Sequence, residues 1–167
     1  MKTLITYCTT HGCTETIAHE LKLLLGNDVT LCNLKKEKTP DLTSFERIIV
    51  GGSIHLGQIQ KRIKTFCKQH ATDLQAKELG LFICCMDEGE DAQIHLKNAY
   101  PEELLQHAKA TACLGGEFNF EKMNFLEKFI IKKVAKIDHS TSRMDKQMIR
   151  KFSDRMDRIF NPFLFLA

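Results

Sequence analysis

Apolar residues in the first two thirds of the chain fall in short dense blocks, most of them followed by a stretch in which they recur every three or four positions. Leu4-Ile5-Thr6-Tyr7-Cys8 reads as a strand, and after the small polar run at 9–14 the residues Ile17, Ala18, Leu21, Leu24 and Leu25 repeat at helical spacing. Val29-Thr30-Leu31-Cys32 predicts a second strand and Arg47-Ile48-Ile49-Val50 a third that runs into Gly51-Gly52-Ser53. A helix is predicted over about 60–71, with Ile63, Phe66 and Cys67 facing inward, before a fourth strand over 79–85. An acidic loop at 87–91 leads to a helix near 92–99. Pro101 then starts a short helix, where its missing amide proton costs nothing. Thr111-Ala112-Cys113-Leu114-Gly115-Gly116 reads as the fifth strand. Strands this apolar, set between helices, are buried on both faces of a parallel sheet. Right-handed crossovers then lead to an α/β, doubly wound five-stranded parallel sheet of order 2-1-3-4-5 with helices on both faces. Its ligand site lies at the carboxyl ends of strands one and three.

The remainder differs in character. Residues 118–137 form a lysine-rich helical stretch, and 143–160 an amphipathic helix with Met144, Met148, Phe152, Met156 and Ile159 on one stripe. The 167 residues suit one domain, 1–167, with a basic helical insert at about 118–142. Three prolines and nine glycines leave no room for a long disordered tract. Seven cysteines, an odd number without a C-x-x-C pair, fit neither a disulfide framework nor a zinc site, so buried thiols in a reducing compartment are expected. The amino-terminal residues are strand-like rather than a leader, and no apolar run is long enough to cross a bilayer, so a cytoplasmic protein is expected. The net charge of +3 is uneven: residues 117–151 carry nine basic and five acidic side chains. That asymmetry fits an acidic partner or membrane surface, and equally a solvated lysine face. No nucleic-acid partner and no metal site are expected.

The first loop carries the most chemistry. A strand-to-helix turn aims unpaired backbone amides and the positive end of a helix at one point, where an anion belongs. Thr9, Thr10 and Thr14 add hydroxyls, Gly12 lets the backbone fold closely around a phosphate, and His11 and Cys13 complete the turn. With no lysine or arginine in the loop, neutral hydrogen bonds and the helix dipole suit a monophosphate better than a triphosphate. The same residues also suit an ordinary helix start with Thr14 as its cap. One glycine is too few for a dinucleotide fingerprint, Cys13 stands where a P-loop has lysine, and Thr14 stands where a Cys-x5-Arg phosphatase loop has arginine.

Read as Ile-Thr-Tyr-Cys-Thr-Thr-His-Gly-Cys-Thr-Glu-Thr-Ile-Ala, residues 5–18 resemble the flavodoxin signature in their aromatic residue, first hydroxyl, glycine, final threonine and alanine. Thr6 and His11 depart from it. The resemblance implies a flavodoxin-like fold with FMN as cofactor, its phosphate held at Thr9, Thr10, His11, Gly12, Cys13 and Thr14. It places one wall of the isoalloxazine pocket at Ser53, Ile54, His55, Leu56 and Gly57, and the other at Cys85, Met86 and Asp87. Neither loop offers the aromatic residue that many flavodoxins stack on the ring.

Within that family the chain resembles the menaquinone-dependent protoporphyrinogen oxidases. The likeness runs through Met1-Lys2-Thr3-Leu4-Ile5, Gly51-x-Ser53-Ile54-x-x-Gly57, Phe66-x-Lys68-x-His70-Ala71, Gly115-Gly116, Lys128-Phe129-Ile130-Ile131-Lys132 and Lys136-Ile137. It implies porphyrinogen oxidation with electrons passed through FMN to a quinone, and a segment at 118–142 that contacts substrate or membrane. In that segment Phe125, Leu126, Phe129, Ile130, Ile131, Val134 and Ile137 make an apolar face ringed by Lys122, Lys128, Lys132, Lys133 and Lys136. Such a face suits peripheral contact with an anionic membrane, a porphyrin's propionates, or packing on the domain. Two other readings stay open: an electron carrier shuttling between redox proteins, and a binding module without redox chemistry. Carriers of this fold are usually strongly acidic, which a net charge of +3 does not match. No catalytic acid or base is singled out.

Overall fold

The computed structural model describes residues 1–118, 120–134 and 138–157. Strand β1 (Thr3–Cys8) is followed by α1 (Cys13–Leu25), β2 (Val29–Asn33), β3 (Arg47–His55), β4 (Gln58–Ile59), α2 (Lys61–Gln69) and α3 (Ala71–Gln75). Next come β5 (Glu78–Cys84), α4 (Gly89–Ala99), α5 (Glu102–His107), β6 (Ala110–Cys113), β7 (Glu117–Phe118), α6 (Phe125–Val134), β8 (Thr141–Ser142) and α7 (Lys146–Asp157).

The main sheet runs β2-β1-β3-β5-β6, all parallel, and β4 folds back antiparallel on β3. Its five parallel strands thus take the order 2-1-3-4-5 expected from the sequence. Alternation along each strand sends side chains to two cores. Leu4, Ile48, Val50, Leu79, Leu81 and Ile83 meet Ile63, Phe66 and Leu74 of α2 and α3 and Leu96 of α4. On the other face Ile5, Ile49 and Phe82 meet Ile17 and Leu21 of α1 and Ile149, Phe152 and Met156 of α7. Of the residues that recur at helical spacing in α1, Ile17, Ala18 and Leu21 meet the sheet while Leu24 is 43% exposed. Tyr100, buried under the sheet, donates to the carbonyls of Val50 (3.1 Å) and Phe82 (2.6 Å).

At the opposite edge from the strands' carboxyl ends, buried Arg47 donates to Glu78 (3.1 Å), to Asp157 (2.8 Å) and to the carbonyl of Met156 (2.6 Å). Lys109 reaches Glu78 (2.7 Å) and the same carbonyl (2.9 Å). Two cations therefore hold the last turn of α7, where the helix dipole is negative, and seat the helix on the sheet.

Among the described residues of 118–142, where a helical insert was expected, short strands and a 3-10 turn accompany the helix. β7 and β8 pair antiparallel, Glu117 with Ser142 and Phe118 with Thr141, and form the stem of the insert. A 3-10 turn at Phe120–Lys122 precedes α6. The fifth parallel strand is also shorter than expected, since Gly115 takes a left-handed φ of 80° and turns the chain toward the stem. A Cβ on Gly115 would run into the carbonyl of Arg143. Met144 precedes α7 instead of lying on it. Lys136, Ile137, Ile159 and Phe160 lie outside the described residues.

Gly51, paired with Phe82 across the sheet, has no room for a side chain, because the Phe82 ring occupies the space a Cβ would take. Gly51→Ala is therefore expected to lower stability by about 1–3 kcal/mol through overpacking. Urea unfolding followed by circular dichroism measures it, and pairing the change with Phe82→Leu should recover part of the loss.

Candidate functional site

Strands β1, β3 and β5 end at one edge of the sheet, and the segments that follow them line a cleft of about 450 Å³, a size typical of cofactor pockets. Thr9, Thr10, His11 and Cys13 form one side, Ser53, Ile54, His55, Leu56 and Gly57 a second, and Cys84, Cys85, Met86 and Asp87 a third. Of the residues singled out from the sequence, only Gly12 and Thr14 stand outside the lining, next to His11 and Cys13.

The first loop is organised by Gly12, whose φ of 102° makes it the N-cap of α1 without a side-chain cap. Its amide donates to Thr9 Oγ1 at 2.9 Å, and its carbonyl accepts from Thr16 N at 3.0 Å to begin the helical ladder. Thr14 is thus in the first turn of the helix and is not its cap. A left-handed residue, cheap only for glycine, starts the helix earlier than a threonine cap would. His11 Nδ1 is buried without a hydrogen-bond partner among the described residues. It is a polar atom of the kind a bound oxygen ligand satisfies.

The second side is a hairpin, not the loop expected. β3 continues through His55, turns on Leu56 (φ 49°) and Gly57 (φ 74°), and pairs back with β4, His55 opposite Gln58. Two left-handed residues in succession match the turn that follows strand twist. Leucine at such a position is strained, and its side chain stands 84% exposed at the mouth of the cleft. Gln60 clamps the hairpin, accepting from Ser53 N (2.9 Å) and donating to Ser53 Oγ, which lies 3.0 Å from His55 Nε2. The His55 ring meets that of His11 edge-on, with centroids 5.8 Å apart. Packing among cleft atoms, and secondarily His11, holds the His55 pKa below its ordinary value, partly offset by Glu127. Neutral imidazole therefore prevails at pH 7.

On the third side the Cys85 and Cys113 sulfurs lie 3.1 Å apart. Their shared proton, together with burial, raises the Cys85 pKa strongly, while the same hydrogen bond brings Cys113 down to about 6. Asp87 pairs with His95 at 3.0 Å and anchors this wall to α4. Gly116 packs against the Cys85 carbonyl, where a side chain would not fit.

The insert supplies lining residues that the sequence reading did not assign to the site: Gly116 and Glu117 in the stem, then Met123, Glu127, Ile130 and Ile131. Its helix starts on a capping box in which Asn124 Oδ1 accepts from Glu127 N (2.9 Å) and Glu127 Oε2 accepts from Asn124 N (2.9 Å). The other oxygen of Glu127 lies 3.6 Å from His11 Nε2, so the insert leans on the first loop. The Asn-x-x-Glu spacing was readable in the sequence, whereas the contact with His11 was not. The apolar face of α6 is divided: Ile130 and Ile131 are half-buried over the cleft, but Phe125, Leu126 and Phe129 are exposed.

A family description of the flavodoxin domain matches residues 4–152, most of the chain. The chain belongs to the flavodoxin domain family. Flavodoxin 1 of Bacillus cereus superimposes with a TM-score of 0.56 over 93% of this chain and 97% of its own, at 14% identity. Among curated proteins, this flavodoxin-family chain is similar to protoporphyrinogen IX dehydrogenase [quinone] of Escherichia coli strain K12. The two are 24% identical over 89% of this chain and 87% of the relative. The protein of that name from Leishmania major is 22% identical over 89% of this chain and 68% of its own length.

The histidine pair gives a direct electrostatic test. Nuclear magnetic resonance titration is expected to place the His55 pKa below 6.5, to move it lower in Glu127→Gln and to move it up in His11→Asn. Because unfolding releases His55 to its ordinary value, its contribution to stability is complete above that value and is lost as pH falls toward the depressed one.

Proposed function

We propose that this protein is an FMN-dependent oxidoreductase that oxidises a porphyrinogen and delivers the electrons to a quinone. The observation that carries this reading is the insert, which covers the cleft with one side of α6 and leaves an apolar side exposed among lysines. The similarity to quinone-dependent protoporphyrinogen dehydrogenases over most of both chains supports it.

The cleft fits FMN in its polarity and in its unpartnered imidazole nitrogen. Phosphate contacts fall to the backbone and hydroxyls of 9–14, beside the unpartnered His11 Nδ1. Ile54, Leu56 and Met86 offer apolar walls to the ring, and Met123, Ile130 and Ile131 stand in for the missing aromatic residue. FMN bound there would supply the electron-accepting chemistry. The chain's own work is to hold the ring, to exclude water with the insert, and to keep a neutral His55, oriented by Ser53, at the cleft wall.

Phe125, Leu126 and Phe129 are 87%, 65% and 55% exposed, with Lys132 and Lys133 also exposed on the same helix. Among the described residues no helix is long and apolar enough to cross a membrane. An amphipathic face of this composition suits peripheral contact with an anionic bilayer, where a quinone is reached. An electron carrier docking on a redox protein is the alternative. Its support is the flavodoxin fold itself, and the positive net charge counts against it.

The test is anaerobic oxidation of protoporphyrinogen by the FMN-loaded protein, with menaquinone presented in anionic vesicles and porphyrin fluorescence as the readout. Turnover above the uncatalysed rate is expected. Phe125→Ser/Phe129→Ser should keep FMN but lose vesicle co-sedimentation and most of the turnover. No turnover, together with rapid one-electron exchange with a redox protein, would leave the carrier reading standing.

A further inference from the structure

The first loop contains no basic residue, yet a lysine reaches it from more than a hundred residues away. A Cβ built on Gly12 would lie 2.9 Å from Lys122 Nζ, so the ammonium of the insert rests against the N-cap of α1. That position is electrostatically unfavourable for a cation, because the first turn of a helix carries positive partial charge. Lys122 forms no ion pair among the described residues; Glu127, which leans on this loop, is engaged with Asn124 and His11, and Glu15 in the first turn of α1 accepts from Tyr7. On the same loop His11 Nδ1 is buried and unpartnered among the described residues, on a side chain about nine-tenths buried. An ammonium outside any ion pair among the described residues, the N-terminus of α1 and an unpartnered buried imidazole nitrogen on one loop together favour an anion there.

We propose that Lys122 is the counter-charge for the phosphate of the bound flavin nucleotide, so that the insert completes the anion site at the start of α1. The inference rests on the FMN reading above and deepens it. Lys122 sits on the 3-10 turn between the stem and α6, so a phosphate at the loop draws the ammonium inward and brings Met123, Ile130 and Ile131 down over the ring. The ammonium also offsets the nearby Glu127 carboxylate, whose negative charge would otherwise oppose an anion at this loop. Closure of the insert thereby depends on a phosphomonoester and not on the ring system alone.

The proposal separates FMN from riboflavin, which has the same ring and no phosphate. Dissociation constants for both are read by quenching of flavin fluorescence in the wild-type protein and in Lys122→Gln and Lys122→Glu, with circular dichroism as the check on folding at this exposed position. Lys122→Gln is expected to weaken FMN binding roughly tenfold and Lys122→Glu further, as for loss of a charge-assisted hydrogen bond. Riboflavin affinity should not change. Added salt should weaken FMN binding to the wild type more than to Lys122→Gln. A Lys122→Gln protein that keeps wild-type affinity for FMN, or that loses FMN and riboflavin affinity equally, overturns the proposal. A wild-type protein that binds neither flavin overturns the FMN reading itself, an outcome distinct from failure of the lysine.

Discussion

A parallel sheet covered on both faces leaves the carboxyl ends of its strands as the place where backbone polar groups can meet a ligand, and the cleft of this molecule lies there. The strands β1, β3 and β5 carry Leu4, Ile5, Ile48, Ile49, Val50, Leu81, Phe82 and Ile83 into two apolar cores. At their carboxyl ends the chain must turn, and the three turns take different forms. Gly12 starts a helix from a left-handed cap, Leu56 and Gly57 close a hairpin, and Cys85 to Asp87 lead into α4 through the Asp87–His95 pair. Together they make a cleft lined by Thr9, Thr10 and His11 on one side and by Ile54, Leu56 and Met86 on the others.

The insert changes that common plan. Its stem leaves the sheet at Gly115, returns at Arg143, and lays α6 across the open side. Glu127 ties the start of α6 to His11 and also sets part of the electrostatics at His55, so the covering helix and the proton balance of the cleft are coupled. On the reading proposed above, a flavin edge covered in this way is poorly placed to touch a large redox protein. On that reading a small or membrane-dissolved substrate instead passes the exposed Phe125, Leu126 and Phe129.

Much of this was legible in the chain. The strand order followed from apolar blocks alternating with helical periodicity, since burial on both faces forces a nearly continuous apolar strand. The loop at 9–14 was legible because an isolated glycine among threonines after a strand has few uses other than anion binding or helix initiation. Other features turned on contacts between residues far apart in sequence. The hairpin at Leu56-Gly57 lacks the Asn-Gly or Asp-Gly signal of such turns, and its register is set by the Ser53–Gln60 clamp. The division of the α6 face into covering and exposed sides, and the approach of Lys122 to Gly12, depend on how the stem aims the insert. Local periodicity does not encode that direction.

The claim that the insert and the three turns form one cofactor site is tested most directly by adding FMN to the isotope-labelled apoprotein and following backbone amide shifts. The account predicts that amides at 9–14, 53–57 and 85–87 move together with those at 123–131 as FMN saturates. Shifts that spare 123–131, or that centre on the separate depression between Thr111 and Arg155, would contradict it.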